Sequence, residues 1–331
     1  MILDRKIRWG ILATGSIAGS LAEAIHSVPD AELVAVASRT TENAQAFANR
    51  WNVPRRYGSY EGLAADPDVD VIYIATPHNL HYENMIACLS AGKHVLCEKA
   101  FTLNAREARE CIELARRMRL FLMEAMWMRF FPAMARVREW VAERIIGQIR
   151  LVQADFCFIR EYDPAHRLYD PHLGGGALLD LGIYPLSFTT QFFGFPEQID
   201  GHADIGPTGV DELDTIRLIY PNGLTASLSC SMRIIKPREA FLIGTEGYIK
   251  VHDIFHRPDR LTLNRLGIGP RTVQLPFRGN GYAHEIEEVH ACLRAGMTES
   301  TIMPLDETLQ LMEIMDGLRH SWGVSYPNER R

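Results

Sequence analysis

The sequence predicts an α/β chain of two domains. Residues 1–124 read as helices wound around a parallel sheet, and residues 125–331 as an α+β domain with an open, mainly antiparallel sheet. Three observations predict this. The 331 residues exceed what one hydrophobic core usually supports. From residue 7 to about 124, short apolar runs alternate with amphipathic segments, the rhythm of strand and crossover helix. Beyond residue 125, strand-like runs follow one another through turns too short for a parallel crossover.

In the first half, residues 7–12, 32–37, 70–75 and 94–98 read as strands. The amphipathic stretches 17–28, 42–51 and 80–91 read as the helices between them, with Gly92 ending the last. A further helix starts at Asn104, where Asn104 can cap and Glu107 completes a capping-box spacing. In the second half, residues 149–158, 215–220, 224–232, 240–245, 248–253 and 261–266 read as strands. Turns such as Pro221-Asn222-Gly223 and Glu246-Gly247 join several of them. Helices are expected at 132–144, 177–193, 282–295 and 306–321, and there is no internal repeat or low-complexity linker.

A formal net charge of −6, with both signs interspersed, argues against a nucleic-acid or polybasic membrane-binding surface. The six cysteines show no CxxC pair and therefore suggest neither a zinc ribbon nor a disulfide framework. The opening MILDRKIRWGIL is too short an apolar run for a signal peptide, and no later stretch approaches about 18 apolar residues. The expected compartment is the cytoplasm.

Gly10 to Ala18 ends a strand and opens a helix, the context in which a dinucleotide fingerprint has physical meaning. Ala13 holds the first glycine position. Gly15 holds the second, where a missing side chain lets backbone approach a pyrophosphate, and Ala18 the third. The free N–H groups of the helix start, at Ser16 and Ile17, offer a phosphate site. A plain strand-to-helix turn would use the same residues. After the second strand, where NAD-selective Rossmann domains carry an acidic residue, this chain has Ser38-Arg39-Thr40. Arg39 cannot accept hydrogen bonds from ribose, but it can clamp a 2′-phosphate, which favours NADP(H). Its competing reading is a solvated arginine before a helix capped by Thr41.

Lys99, in Cys97-Glu98-Lys99-Ala100, sits at the carboxyl end of a strand, the ligand edge of an open sheet. A cation there can stabilise a developing oxyanion, whereas on an ordinary surface Glu98 and Lys99 would form a simple ion pair. In the stretch Gly174-Gly175-Gly176-Ala177-Leu178-Leu179-Asp180-Leu181-Gly182-Ile183-Tyr184, a glycine loop leads into a helix. Four-residue spacing stacks Asp180 and Tyr184 on one face. A carboxylate, a phenol and a lysine can form a proton relay for an alcohol that loses hydride, although Tyr184 could equally be a core aromatic. Thr76-Pro77-His78-Asn79-Leu80-His81 follows another strand onto the ligand edge. His78 and His81 lack a third ligand at metal spacing and are expected to cap backbone or contact cofactor and substrate, so no metal is expected. His284-Glu285 and His290 read as packing or surface residues.

With the Rossmann loop, Thr76-Pro77, Glu98-Lys99 and Asp180-x-x-x-Tyr184 in this order, the chain resembles the Gfo/Idh/MocA oxidoreductases over nearly its whole length. Glu124-Ala-Met-Trp127-Met-Arg129-Phe-Phe-Pro132, GGGALLDLGIYPL and Met303-Pro304-Leu305 resemble its subgroup of dimeric dihydrodiol dehydrogenases and NADP-dependent D-xylose 1-dehydrogenases. The resemblance implies Lys99 and Tyr184 as catalytic residues, with Asp180 orienting substrate or tuning Tyr184. It also implies cofactor contacts from Ala13, Gly15, Ser16, Ile17, Ser38, Arg39, Thr76, Pro77, Asn79, His81, Glu98, Lys99, Trp127 and Arg129. Trp127 and Phe158 would line the substrate, and Phe255 and Phe277 would form an aromatic wall. Ala100 stands where many members have proline, Tyr184 where many sugar-acting members have histidine, and His78 where asparagine is frequent.

The expected activity is hydride transfer between NADP(H) and a hydroxyl or hemiacetal carbon of a sugar or related cyclic alcohol, of aldose 1-dehydrogenase or trans-dihydrodiol dehydrogenase type. The alternatives are an NADPH-dependent reductase of a keto or anhydro-keto sugar, and a non-catalytic NADP(H)-binding subunit. The expected partners are a small sugar-like or cyclic alcohol substrate and further copies of the chain, in a homodimer or higher oligomer built through the C-terminal sheet.

Overall fold

The first half folds as its apolar runs dictate. In the computed structural model, which describes residues 5–327 and 329, the elements in chain order are β1 (Ile7–Leu12), α1 (Ser16–Ser27), β2 (Ala31–Ala37), α2 (Thr41–Trp51), β3 (Arg55–Tyr57), α3 (Tyr60–Ala64), β4 (Val71–Ile74), α4 (His81–Ser90), β5 (His94–Glu98), α5 (Ala105–Met118) and β6 (Leu122–Ala125). The six strands pair in parallel in the order β3-β2-β1-β4-β5-β6. All four residues of β4 are buried, as expected of a parallel strand covered on both faces. The strand order reverses at β1, and the carboxyl ends of β1 and β4 flank this switch point, the place where open α/β sheets bind their ligands.

The helix boundaries have local causes. Asn104 caps α5 by accepting from the Glu107 N–H at 2.9 Å, and the Glu107 carboxylate accepts from Leu103 N–H at 3.3 Å. The helix α2 is capped by Thr40, whose hydroxyl accepts from Asn43 N–H at 3.3 Å, so the expected cap at Thr41 moves back by one residue. The expected helix 80–91 is a 3₁₀ turn, His78–Leu80, followed by α4. The strand β3 lacks apolar alternation in Arg55-Arg56-Tyr57; it is an edge strand held by pairing with β2.

The second sheet follows α6 (Pro132–Ala142) and includes β7 (Ile149–Cys157). After α7 (Ile183–Phe193) come β8 (Gln198–Ile205), β9 (Asp211–Ile219), β10 (Thr225–Ser231), β11 (Ala240–Gly244), β12 (Gly247–Val251), β13 (Arg260–Arg265) and β14 (Gly269–Gln274). Their order is β14-β13-β12-β11-β7-β10-β9-β8, antiparallel throughout except for the parallel pair β7 and β10. The strands β8 and β14 were not expected, because their exposed edge positions need no apolar alternation. The expected helix 177–193 is composite: Leu178–Gly182 winds as a π-helix before α7 begins.

The last helices are α8 (Ala283–Arg294) and α9 (Leu305–Trp322). The chain divides into one unit of residues 1–127 with 278–309 and another of 128–277 with 310–331, so α8 packs with the parallel sheet. There, Trp9 of β1 donates to His290 of α8 at 3.0 Å. Among the described residues no helix is long and apolar enough to cross a membrane.

Candidate active site

In the first unit, Ala13 leaves β1 with φ +98°, a left-handed value unusual for a residue with a Cβ, and its N–H donates to Ala37 O at 3.0 Å. The turn brings Gly15 to the N-cap of α1 in extended conformation. No heavy atom lies within 4 Å of where a Gly15 Cβ would stand, and Gly15, Ser16 and Ile17 are all exposed. The first turn of α1 thus presents N–H groups and the positive end of its dipole to open space, which fits a pyrophosphate. Thr14 Oγ1 and the buried Ser38 Oγ are 3.4 Å apart, joining the ends of β1 and β2, and Arg39 follows on the surface.

At the end of β5, Glu98 is 8 % exposed. Its carboxylate accepts from the Tyr73 phenol of β4 and from Lys99 N–H at 3.3 Å. Burial, followed by the charge of Glu98, pushes the Tyr73 phenol up, so Tyr73 remains a donor. Lys99 is half-buried at this edge. Glu285 of α8 lies in the same region, 0 % exposed, and neither carboxylate oxygen has a hydrogen-bond partner. Burial, then the charge of Glu98, pushes it well above the ordinary carboxyl range. It was expected to be a packing or surface residue, and the sequence carries no sign of its isolation.

The Thr76–His81 segment divides by role. Pro77 is exposed and Asn79 half-buried, with the Asn79 side-chain oxygen lacking a partner. His81 is fully buried as a strut, its ring nitrogens 2.9 Å from Ala100 O and 2.8 Å from Thr76 O, and burial lowers its pKa. Thr76 is also buried, its hydroxyl accepting from Asn84 at 3.2 Å. The neutral ring has one N–H and donates to one of these carbonyls, standing between the backbone of Thr76 and that of Ala100 at the sheet edge. Trp127 is half-buried and stacks on Tyr282 with centroids 4.6 Å apart.

In the second unit, Asp180 and Tyr184 are each 6 % exposed. Arg167 reaches both oxygens of Asp180, at 3.0 and 3.1 Å. The Tyr184 ring lies 5.0 Å from His256 and 5.4 Å from Phe156, and His256 stacks on Phe156 at 4.0 Å. Sequence reading missed Arg167 and His256, which lie thirteen and 72 residues from the groups they meet.

Other expected ligand contacts occupy different places. Arg129 is 0 % exposed, donating to the Ser187 hydroxyl and carbonyl of α7 at 2.9 and 3.0 Å. It is a core pin and offers no surface to a ligand. Phe255 is likewise 0 % exposed, packed edge-on against Phe156 and Phe188. Phe158 and Phe277 are half-buried, with Phe277 edge-on to Phe131 and under the Arg257 guanidinium. Among the described residues no group of three or more His, Cys, Asp or Glu side chains could hold a metal ion.

Residues 7–126 match the Gfo/Idh/MocA oxidoreductase family with its NAD-binding Rossmann fold, and residues 134–250 match the Gfo/Idh/MocA C-terminal domain. The chain is 40% identical over 334 residues to trans-1,2-dihydrobenzene-1,2-diol dehydrogenase of Mus musculus, spanning 98% of this chain and 99% of the relative. The Homo sapiens enzyme of that name is 38% identical with the same coverage. The crystal structure of KijD10, a 3-ketoreductase from Actinomadura kijaniata in complex with NADP and TDP-benzene, is similar with a TM-score of 0.85 at 26% identity, covering 96% of this chain and 98% of its own. Levoglucosan dehydrogenase, in complex with NADH and levoglucosan, shares the fold with a TM-score of 0.88 at 21% identity and the same coverage. The chain belongs to the Gfo/Idh/MocA family of oxidoreductases.

Proposed function

We propose that this Gfo/Idh/MocA oxidoreductase transfers hydride between NADP(H) and the hydroxyl or hemiacetal carbon of a sugar or related cyclic alcohol. It would act as an aldose 1-dehydrogenase or trans-dihydrodiol dehydrogenase does. One observation carries the reading: a single chain retains Lys99 at the ligand edge of a Rossmann sheet and Tyr184 with Asp180 in its second unit.

The nicotinamide ring supplies or accepts the hydride when bound. The N–H groups of Ser16 and Ile17 bind the pyrophosphate, Gly15 leaves room for it, and Arg39 holds the 2′-phosphate. Tyr184 takes the proton of the substrate hydroxyl in oxidation and returns it to the carbonyl oxygen in reduction. Lys99 stabilises negative charge on that oxygen. Asp180, held by Arg167, accepts a hydrogen bond from a neighbouring substrate hydroxyl and fixes the ring. Trp127 and Phe158 provide apolar contact for the flat faces of cofactor and substrate.

A second reading, NADPH-dependent reduction of a keto or anhydro-keto sugar, is favoured by the likeness to a 3-ketoreductase with bound NADP. The same acid/base pair serves both directions. The protein is further taken to be a cytoplasmic homo-oligomer. Its six buried free thiols suit a reducing compartment, and the C-terminal sheet is the surface proposed for self-association.

The deciding experiment titrates purified protein with NADPH and then screens polyols, aldoses and ketoses with NADP+ and NADPH, following nicotinamide absorbance. Turnover is expected on a sugar-like substrate, lost in Lys99→Met and Tyr184→Phe. Absence of NADPH binding, or full turnover in both variants, sinks the reading. Binding without turnover on any substrate supports a non-catalytic subunit.

A further inference from the structure

Beneath the segment that carries Asp180, two carboxyl groups are buried together. Asp211 and Asp214 of β9 are each 0 % exposed. Where β9 pairs with β8, Asp204 faces Leu213 while Ile205 faces Asp211, so Glu212 is an extra residue. This bulge shifts the side-chain alternation by one and lets residues three apart turn to the same face. Asp211 Oδ2 accepts from Leu178 N–H, the first residue of the π-helix, at 2.5 Å. Asp214 Oδ2 accepts from the thiol of Cys230, its direct partner on β10, at 3.0 Å.

The remaining Oδ1 atom of each carboxyl is buried without a donor, although the two groups are within hydrogen-bonding contact of one another. Two carboxylate oxygens cannot satisfy each other, whereas one proton between them satisfies both. The glycine loop closes over this pair. A Cβ at Gly176 (φ +113°) would collide with Asp211 Oδ1, and one at Gly182 would stand 2.9 Å from Cys230 Sγ.

We propose that Asp211 and Asp214 share one proton, and that this pair is a positioning element that holds Leu178–Gly182 and the start of α7, hence Asp180 and Tyr184, in their working place. The role in turnover rests on the reading of Asp180 and Tyr184 as the reacting machinery.

The surroundings support this assignment. Burial raises both carboxyls; the Leu178 N–H and Arg319 of α9 favour charge on Asp211, and the charge of Asp211 then keeps the proton on Asp214. The other titratable groups facing the pair are Cys230 of β10, Cys157 of β7 and Tyr326 beyond α9. Burial, followed by the charge of Asp214, pushes the Cys230 thiol well up, so it stays a donor. Tyr326 donates to Gly175 O at 2.7 Å, and Arg319 is paired with Glu329. Losing the shared proton would leave two like charges in contact in a dry site, with Asp211 pushed off Leu178 N–H.

The test compares wild type, Asp214→Asn, whose amide can donate to Asp211, and Asp214→Leu, which cannot. An infrared difference spectrum of wild type minus D214N, taken at a pH well above the ordinary carboxylate range, is expected to contain a protonated-carboxyl C=O band. Wild-type kcat is expected to decline at alkaline pH as the shared proton is lost, whereas D214N should keep kcat within about twofold at neutral pH and lack that decline. D214L should lose about tenfold in kcat with the Kd for NADPH unchanged. No such band, or wild-type kcat in D214L, overturns the proposal. If D214L does not fold, an identical alkaline decline in wild type and D214N overturns it instead. A wild type with the band and no turnover on any substrate overturns the hydride-transfer reading and the positioning role while the shared proton stands; turnover without the band overturns the pair alone.

Discussion

Arg167 grips both carboxylate oxygens of Asp180, Nη1 to Oδ1 at 3.0 Å and Nη2 to Oδ2 at 3.1 Å. The carboxylate is nearly buried while the arginine is half exposed, so one end of the fork faces water and the other fixes a group of the proposed site. Arg167→Met should lower kcat by about ten- to a hundredfold through misorientation of Asp180, with the Kd for NADPH unchanged. Arg167→Lys should recover only part of the loss, because an ammonium cannot reproduce the bidentate fork. Steady-state kinetics beside cofactor titration check this, and a matching loss of NADPH affinity would contradict it.

Arg39 is exposed at the end of β2, where an acidic residue would serve a ribose diol. Arg39→Asp is expected to weaken NADPH binding by about a hundredfold and to improve NADH binding, a reversal read by titrating both cofactors. Unchanged preference would remove Arg39 from the 2′-phosphate site.

Glu285 should make stability depend on pH. Its folded-state pKa lies above the value of an unfolded glutamate, through burial and then the charge of Glu98. Its contribution is therefore intact below about pH 4 and declines as pH rises through the folded pKa. Glu285→Met, which fills the same space without a carboxyl, should match the stability of wild type near pH 4 and exceed it increasingly at neutral and alkaline pH, by about 1–3 kcal/mol, seen as a higher melting temperature. Parallel melting curves for the two proteins would show that Glu285 is not the titrating group.

Ala13 holds φ +98° at the turn after β1. Ala13→Gly should relieve the Cβ clash and raise stability by up to about 1 kcal/mol, partly offset by the entropy of an added glycine. Chemical denaturation measures it, and NADPH affinity should stay within about twofold, since the backbone path is the one already present.

Both sheets could be anticipated because their inner strands are written locally. Val71–Ile74 is apolar at every position, and the second-half runs are separated by turns that permit only antiparallel or mixed neighbours. Four edge strands escaped: β3, β8 and β14 because an edge needs one partner and no fully buried face, and β6, buried at all four positions, because a four-residue run directly after a helix carries too little period of its own. The π-helix at Leu178–Gly182 escaped because nothing in its local sequence marks it, and the group that holds its first N–H, Asp211, lies 33 residues along the chain. Arg129 and Phe255 were expected beside ligands from motif position alone, while their depth depends on the packing of α7 and the second sheet.

The sequence by itself determined a parallel α/β half followed by a mainly antiparallel sheet, a tight strand-to-helix turn at Gly15 whose geometry suits a phosphate, an arginine where an acid would select NAD, and the residues Lys99, Asp180 and Tyr184 on which the proposed reading rests. Each is a residue type at a local spacing, with a meaning set by backbone geometry and intrinsic chemistry. Tertiary structure alone decided that Arg167 holds Asp180, that His81 is buried between the carbonyls of Thr76 and Ala100, and that Glu285 and the Asp211–Asp214 pair are sealed from water. A side chain's partner and its proton affinity depend on what long-range packing puts around it. A carboxyl that is unremarkable in the sequence becomes a proton holder once its surroundings are dry.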